Sequence, residues 1–317
     1  MNPLSTFVVE AQMVFPKLLA TVLASLCLSR VLAEFEHLDP RKERDHFNCA
    51  TPARHKDSAA IRGVATRDPF SSYSLNRSSS NSSEVPPIPV KAWFHVVAEN
   101  TTLAGGYISD EKIAAQMQTL NGDFAPSFRF ELEGVTRTLN LNWSEALERS
   151  EVETEMKSAL RTGDYKTLNI YTQKRVGPLT GYAHFPERVV EGSLEWNVSG
   201  VVVHYDTLPG GVNPWFNLGK TLVHEVGHWL DLIHTFGLDE EGSTCTGLGD
   251  FIADTPAEFE SNSECIFGRD TCPDQEGLDP ITNHMDYSYD ACKFEFTPLQ
   301  RKRMIDAWYT YYESPSY

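Results

Sequence analysis

The chain has 317 residues, 41% of them hydrophobic and 11% aromatic, with a formal net charge of −17. The apolar and aromatic fractions are those of a globular protein, and the length fits one or two domains. So acidic a chain argues against nucleic acid or an anionic membrane as its partner.

The first element is short and apolar. Lys17 precedes a run from Leu18 to Leu28, and Val31-Leu32-Ala33 supplies the small residues of a cleavage site, so residues 1–33 read as a secretory signal. The run is too short to span a bilayer, and no other long apolar stretch follows. The mature protein is therefore expected outside the cell, soluble and monomeric.

Residues 34–88 read as a propeptide. The first half is charged and without periodicity. Between Ser71 and Ser83, eight of thirteen residues are serine, and Val85-Pro86-Pro87-Ile88-Pro89 follows. That is linker composition, flexible and then stiff.

From residue 89 to 317 the pattern is that of a mixed α/β domain. Val90 to Ala98 has the β-branched and aromatic enrichment of a strand. Ser109 can cap a helix in which Ile113, Met117 and Leu120 share one face. Phe128–Leu139 and Leu168–Thr172 read as further strands, with an amphipathic helix near 150–161 between them. Gly200 to Tyr205 is another strand, ending at the Pro209-Gly210-Gly211 turn. A helix starts near Leu218. At the far end, Thr297-Pro298-Leu299-Gln300 is a capping box with proline in the first turn, opening a helix to about Tyr311. Asn76, Asn81, Asn100, Asn142 and Asn197 each begin an N-glycosylation sequon, which suits a secreted chain.

The helix starting near Leu218 carries the chemistry. His224 and His228 are four apart, so they stack on one helical face and can pinch a single ion. Glu225 lies beside the first ligand, placed to act on water without binding the metal, which is the mechanical content of H-E-x-x-H. His234 is six residues beyond His228. On a continued helix it would lie about 9 Å further along the axis, whereas zinc–nitrogen bonds span only about 2.0–2.1 Å. His234 can therefore join only if the helix stops near Asp231 and the chain doubles back. Aspartate is among the few residues other than glycine that enter the left-handed conformation at modest cost. The set implies a zinc hydrolase, with peptide bonds the first substrate class to consider.

Residues 235–296 are loop-like, rich in Gly, Asp, Pro and Cys. So long an irregular stretch needs added constraints. Cys245, Cys265, Cys272 and Cys292 can supply two disulfides, with three pairings open to them. Asp250 and Asp254 can either offer oxygens to calcium or cap backbone amides in turns. Cys49 is the odd cysteine, far upstream.

These segments together resemble the pappalysin (cytophagalysin) family of metzincins, including its secreted fungal members. The resemblance rests on Leu208-Pro-Gly-Gly211, His224 to Phe236, Gly249 to Glu258, Asp270-Thr-Cys-Pro273, Gly277-Leu-Asp-Pro280, Asn283 to Ser288 and Glu295 to Gln300. It implies an α+β zincin: a twisted mixed sheet, a backing helix, the zinc-site helix, a loop-rich disulfide-stabilised lower subdomain and a C-terminal helix. It further implies that Met285 forms the Met-turn beneath the zinc ligands and that Tyr287 approaches the metal. The implied disulfides are Cys245–Cys272 and Cys265–Cys292, with calcium near Asp250 and Asp254. Cys49 would then place a thiolate on the zinc and keep a zymogen latent; a buried thiol or an intermolecular disulfide are the plainer alternatives.

The implied activity is hydrolysis of protein or peptide substrates. Zinc and Glu225 would activate water, and zinc with Tyr287 would hold the oxyanion. The competing class is a degenerate secreted zinc-binding protein that binds a partner without cleaving it. The Asp231 turn is its only local support.

Overall fold

The computed structural model describes Cys49, residues 86–236, Cys245 and residues 249–313. The expected signal, most of the propeptide and its linker, and the sequons at Asn76 and Asn81 lie outside the described residues. All those described belong to one unit, His46–Tyr317.

Five strands form one sheet in the order β2-β1-β3-β5-β4. They are β1 (Ile88–Ala98), β2 (Phe128–Leu139), β3 (Leu168–Gln173), β4 (Gly181–Ala183) and β5 (Val201–His204). The first four in the spatial order run parallel, and β4 pairs antiparallel with β5 at the edge. The helices are α1 (Asp110–Phe124), α2 (Leu141–Ser144), α3 (Glu151–Leu160), α4 (Leu194–Val198), α5 (Lys220–Trp229) and α6 (Pro298–Ala307). The expected strands and longer helices are all present, within about two residues of their boundaries. The last helix is shorter than expected: α6 stops at Ala307 and a π-helical turn runs from Trp308 to Tyr312.

Alternation along the central strands sends side chains to two cores. On one face Ala92, Phe94, Val96, Ile170, Val201 and Val203 meet Ile113, Leu120 and Phe124 of α1 and Leu222, Val223 and Val226 of α5. On the other, Val97, Tyr171, Tyr182 and Val202 pack with Met156 of α3. The metal helix is thus sandwiched between the sheet, α1 and the C-terminal segment.

Local signals fix the ends of these elements. The Ser109 hydroxyl accepts from the Lys112 amide at the start of α1, and Asp110 and Glu111 sit in its first turn, as the helix dipole favours. Thr297 and Gln300 complete the reciprocal capping box of α6. The Gln300 amide also exchanges two hydrogen bonds with Asn283, at 2.7 and 3.1 Å. That exchange ties the start of α6 to the turn containing Met285.

Behind β4, Lys157 is fully buried. Its ammonium meets Glu153 Oε1 at 2.7 Å and donates to Val198 O at 2.9 Å. His184, just past β4, bonds the same Glu153 oxygen at 3.0 Å. Burial alone would raise the Glu153 carboxyl, but Lys157 and His184 outweigh it and hold it below the usual carboxylate range. Among the described residues, no helix is long and apolar enough to cross a membrane.

Candidate metal centre

Helix α5 is buried from Thr221 through Trp229. It ends in a Schellman motif. Asp231 takes φ +79°, its amide donates to His228 O at 2.9 Å, and the Leu232 amide reaches back to Gly227 O at 2.9 Å. The chain therefore reverses at the residue the histidine spacing requires, and His234 returns to the helix face.

The three imidazoles converge. His228 Nε2 lies 3.0 Å from the Nε2 of both His224 and His234, and those two are 3.2 Å apart. His224 Nδ1 donates to His284 O and His228 Nδ1 to Leu232 O, each at 2.7 Å. Those bonds fix the tautomer of His224 and His228, leaving Nε2 of each as an acceptor turned toward the other rings. Acceptors facing one another so closely repel unless a cation lies between them. Three neutral nitrogens suit a borderline d-block ion such as zinc, whereas calcium and magnesium take oxygen ligands. The donor set fits the metal that the sequence implies.

Burial keeps these rings neutral. It pushes the His228 imidazolium pKa down to about 4. Burial does the same more strongly for His224 and His234, with their neighbouring imidazoles adding to it.

Around the imidazoles stand the other expected residues. The Cys49 sulfur and one nitrogen of each of His224, His228 and His234 all lie within 4.8 Å of one another. Cys49 Sγ is 3.3 Å from Glu225 Oε2. The Tyr287 hydroxyl accepts from the Cys49 amide at 3.2 Å and donates to its carbonyl at 3.0 Å. Its ring packs 4.9 Å from that of His234 and 5.7 Å from that of His224. Burial, and then Cys49, pushes the Tyr287 phenol far up, so it is a neutral donor.

Met285 is fully buried beneath α5. A Cβ on Gly227 would lie 2.5 Å from Met285 Sδ, so only glycine allows this approach. The Met285 amide is held by Asn283 Oδ1 at 2.9 Å.

Disulfides join Cys245 to Cys272 and Cys265 to Cys292, the expected pairing, with Cα–Cα distances of 5.3 and 6.0 Å. Asp250 and Asp254 make the contacts of turn and cap aspartates. Asp250 Oδ1 accepts from the Ile252 amide at 3.0 Å. Asp254 accepts from Thr297 Oγ1 at 2.7 Å and the Leu299 amide at 2.9 Å. Among the described residues, neither joins a cluster of three or more ligand groups.

The sequence reading missed β4. It has only three residues, too few to show a period, yet it forms the sheet edge beside the metal centre. Gly181 on β4 bridges to Cys49, and a Cβ there would meet Glu225 Oε1 at 2.9 Å. Phe185, just beyond β4, lays its ring edge-on to His228 at 5.5 Å.

A family model for M43 peptidases, described as pregnancy-associated plasma protein-A, matches residues 155–308. An extracellular metalloprotease of Neurospora crassa is 48% identical over 225 residues, spanning 71% of this chain and 76% of that protein. The chain belongs to the M43 (pappalysin) family of metallopeptidases. A second extracellular metalloprotease, of Sordaria macrospora, is 43% identical over 84% of this chain and 89% of its own length. Among solved structures, mirolysin in complex with a compound is 32% identical, with a TM-score of 0.59, over 71% of this chain and 93% of its own. Promirolysin of Tannerella forsythia, a mutant form, is 28% identical with a TM-score of 0.59, over 83% and 93%. Family membership and an intact H-E-x-x-H helix make this pappalysin a metal-dependent endopeptidase, not a binding module that has lost the chemistry.

Proposed function

We propose that this pappalysin is a secreted zinc endopeptidase made as a latent precursor, with His224, His228 and His234 as ligands and Glu225 as general base. The supporting observation is the convergence of three neutral imidazoles, two of them fixed through Nδ1, beside the Glu225 carboxylate. When bound, zinc supplies a Lewis acid that lowers the pKa of water and polarises the scissile carbonyl. Glu225 accepts the proton of the attacking water and passes it to the leaving amine. The Tyr287 hydroxyl, a neutral donor, turns from the Cys49 backbone to the developing oxyanion when substrate replaces that segment. No side chain of the protein forms an acyl intermediate.

Cys49 is the proposed latency residue. Its sulfur stands among the imidazoles and against Glu225, where a thiolate is a good zinc ligand. The proposed division is signal (1–33), propeptide (34–88) and catalytic domain (89–317); the wider match to promirolysin than to mirolysin supports a segment ahead of the catalytic domain. Secretion accords with the extracellular relatives. It also accords with two disulfides and with the exposure of Asn100 and Asn142, which glycan attachment needs.

Peptide hydrolysis by the processed protein, with and without a chelator, tests the reading together with Glu225→Ala. The variant is expected to keep its zinc and lose at least about 10²-fold in turnover. Parent-level cleavage by a zinc-loaded Glu225→Ala protein would overturn the assigned base.

A further inference from the structure

The turn between His228 and His234 is held from outside the metal helix. Asp231 is its left-handed residue, and its flanking Leu232 carbonyl is the acceptor that fixes His228 Nδ1. Arg303 of α6 reaches this turn. Its Nε donates to Asp231 O at 2.8 Å and meets Asp231 Oδ2 at 3.2 Å. Both side chains are nearly buried, 9% and 6% exposed. Two turns of chain further on, the Tyr312 hydroxyl donates to Trp229 O at 2.7 Å. The last carbonyl of α5, that of Trp229, and the Asp231 carbonyl in the turn beyond it thus find donors on the C-terminal segment, and the guanidinium lies at the negative end of the helix dipole.

We propose that Arg303 is a positioning residue for the metal centre. By gripping both the carbonyl and the carboxylate of Asp231, it holds the reversal that carries His234 back to His224 and His228, so the C-terminal helix sets metal affinity. A glycine would take this conformation without support. Aspartate takes it here with its carboxylate pinned by a buried guanidinium, so that the position depends on a partner 72 residues away. The inference rests on the three imidazoles being ligands.

The test is zinc affinity of the processed protein, measured by competition with a chromogenic chelator, with thermal melting of the metal-free forms as a separate readout. Arg303→Met is expected to weaken zinc binding about 10- to 100-fold, the range for groups that orient ligands. In an Asp231→Gly background the same replacement should lose part of its effect, because the bond to the carboxylate is already gone and only the bond to the carbonyl of residue 231 remains to be lost. Should Arg303→Met fail to fold, Asp231→Asn and Tyr312→Phe decide, since the first removes the charge that the guanidinium grips, the second removes the bond to Trp229 O, and both leave the bulk. Both should bind zinc more weakly than the parent. If the parent binds one zinc and the folded variants bind it as tightly, the inference falls while the metal site stands. Equal losses with Asp231 and with Gly at 231 would also overturn it. A parent that binds no stoichiometric metal would instead remove the reading beneath it.

Discussion

The thiol sulfur of Cys49 lies 3.3 Å from Oε2 of Glu225, across 176 residues of sequence. The same cysteine gives its amide and carbonyl to Tyr287. One upstream residue thus contacts both groups assigned to the chemistry. Replacing it by alanine removes the sulfur and leaves the backbone bonds. Unprocessed Cys49→Ala protein is expected to cleave a fluorogenic peptide faster, and to mature sooner, than the unprocessed parent. Identical latency in both would remove the thiol from the blocking role.

Gly227 packs against Met285 too closely for any side chain, with a Cβ falling 2.5 Å from the sulfur. Gly227→Ala must push Met285 down or α5 outward, and overpacking of this kind costs about 1–3 kcal/mol. The loss should appear in chemical unfolding of the processed protein, together with weaker metal binding, because the strain falls between His224 and His228. Met285→Leu keeps the volume and should cost less than about 1.5 kcal/mol. An alanine variant as stable as the parent would mean that Met285 does not support the helix as described.

His95 on β1 makes a pH prediction away from the metal. It is buried, bonded to Thr136 Oγ1 at 2.8 Å and Asn169 Oδ1 at 2.9 Å. Burial lowers its pKa from 6.5 to about 4, the Asn169 bond opposing in part. A depressed histidine contributes stability that is present above its unfolded pKa and lost as pH falls through the folded one. Between about pH 6.5 and 4 the unfolded chain binds the extra proton, so stability must rise with pH in that window. At about 1.4 kcal/mol per pH unit the full effect is about 3 kcal/mol. Denaturant unfolding across that window should have a shallower pH slope in His95→Gln than in the parent. Parallel curves would show that this imidazole does not titrate as described.

Much of the site was legible because its signals are local. The four-residue spacing of His224 and His228 needs only a helix, and Ser109 and Thr297 announce their helices through their own hydroxyls. The reversal at Asp231 followed from the reach of His234, and the backbone takes it. The rest depends on distant partners. No pattern in a three-residue strand says that β4 turns antiparallel to β5 at the edge, and the order of the strands is set by packing rather than by any one segment. Asp254 looked as fit for a cation as for a cap. Its partners on α6 are more than 40 residues downstream, and nothing near it in the sequence names them.

The central claim is tested most directly by a crystal structure of the processed protein with zinc anomalous scattering. The account predicts one zinc peak per chain, bonded to Nε2 of His224, His228 and His234 at about 2.0–2.1 Å, with Glu225 beside it and not bound. A structure in which His234 points away, or in which no transition-metal peak lies among the three rings, would contradict it.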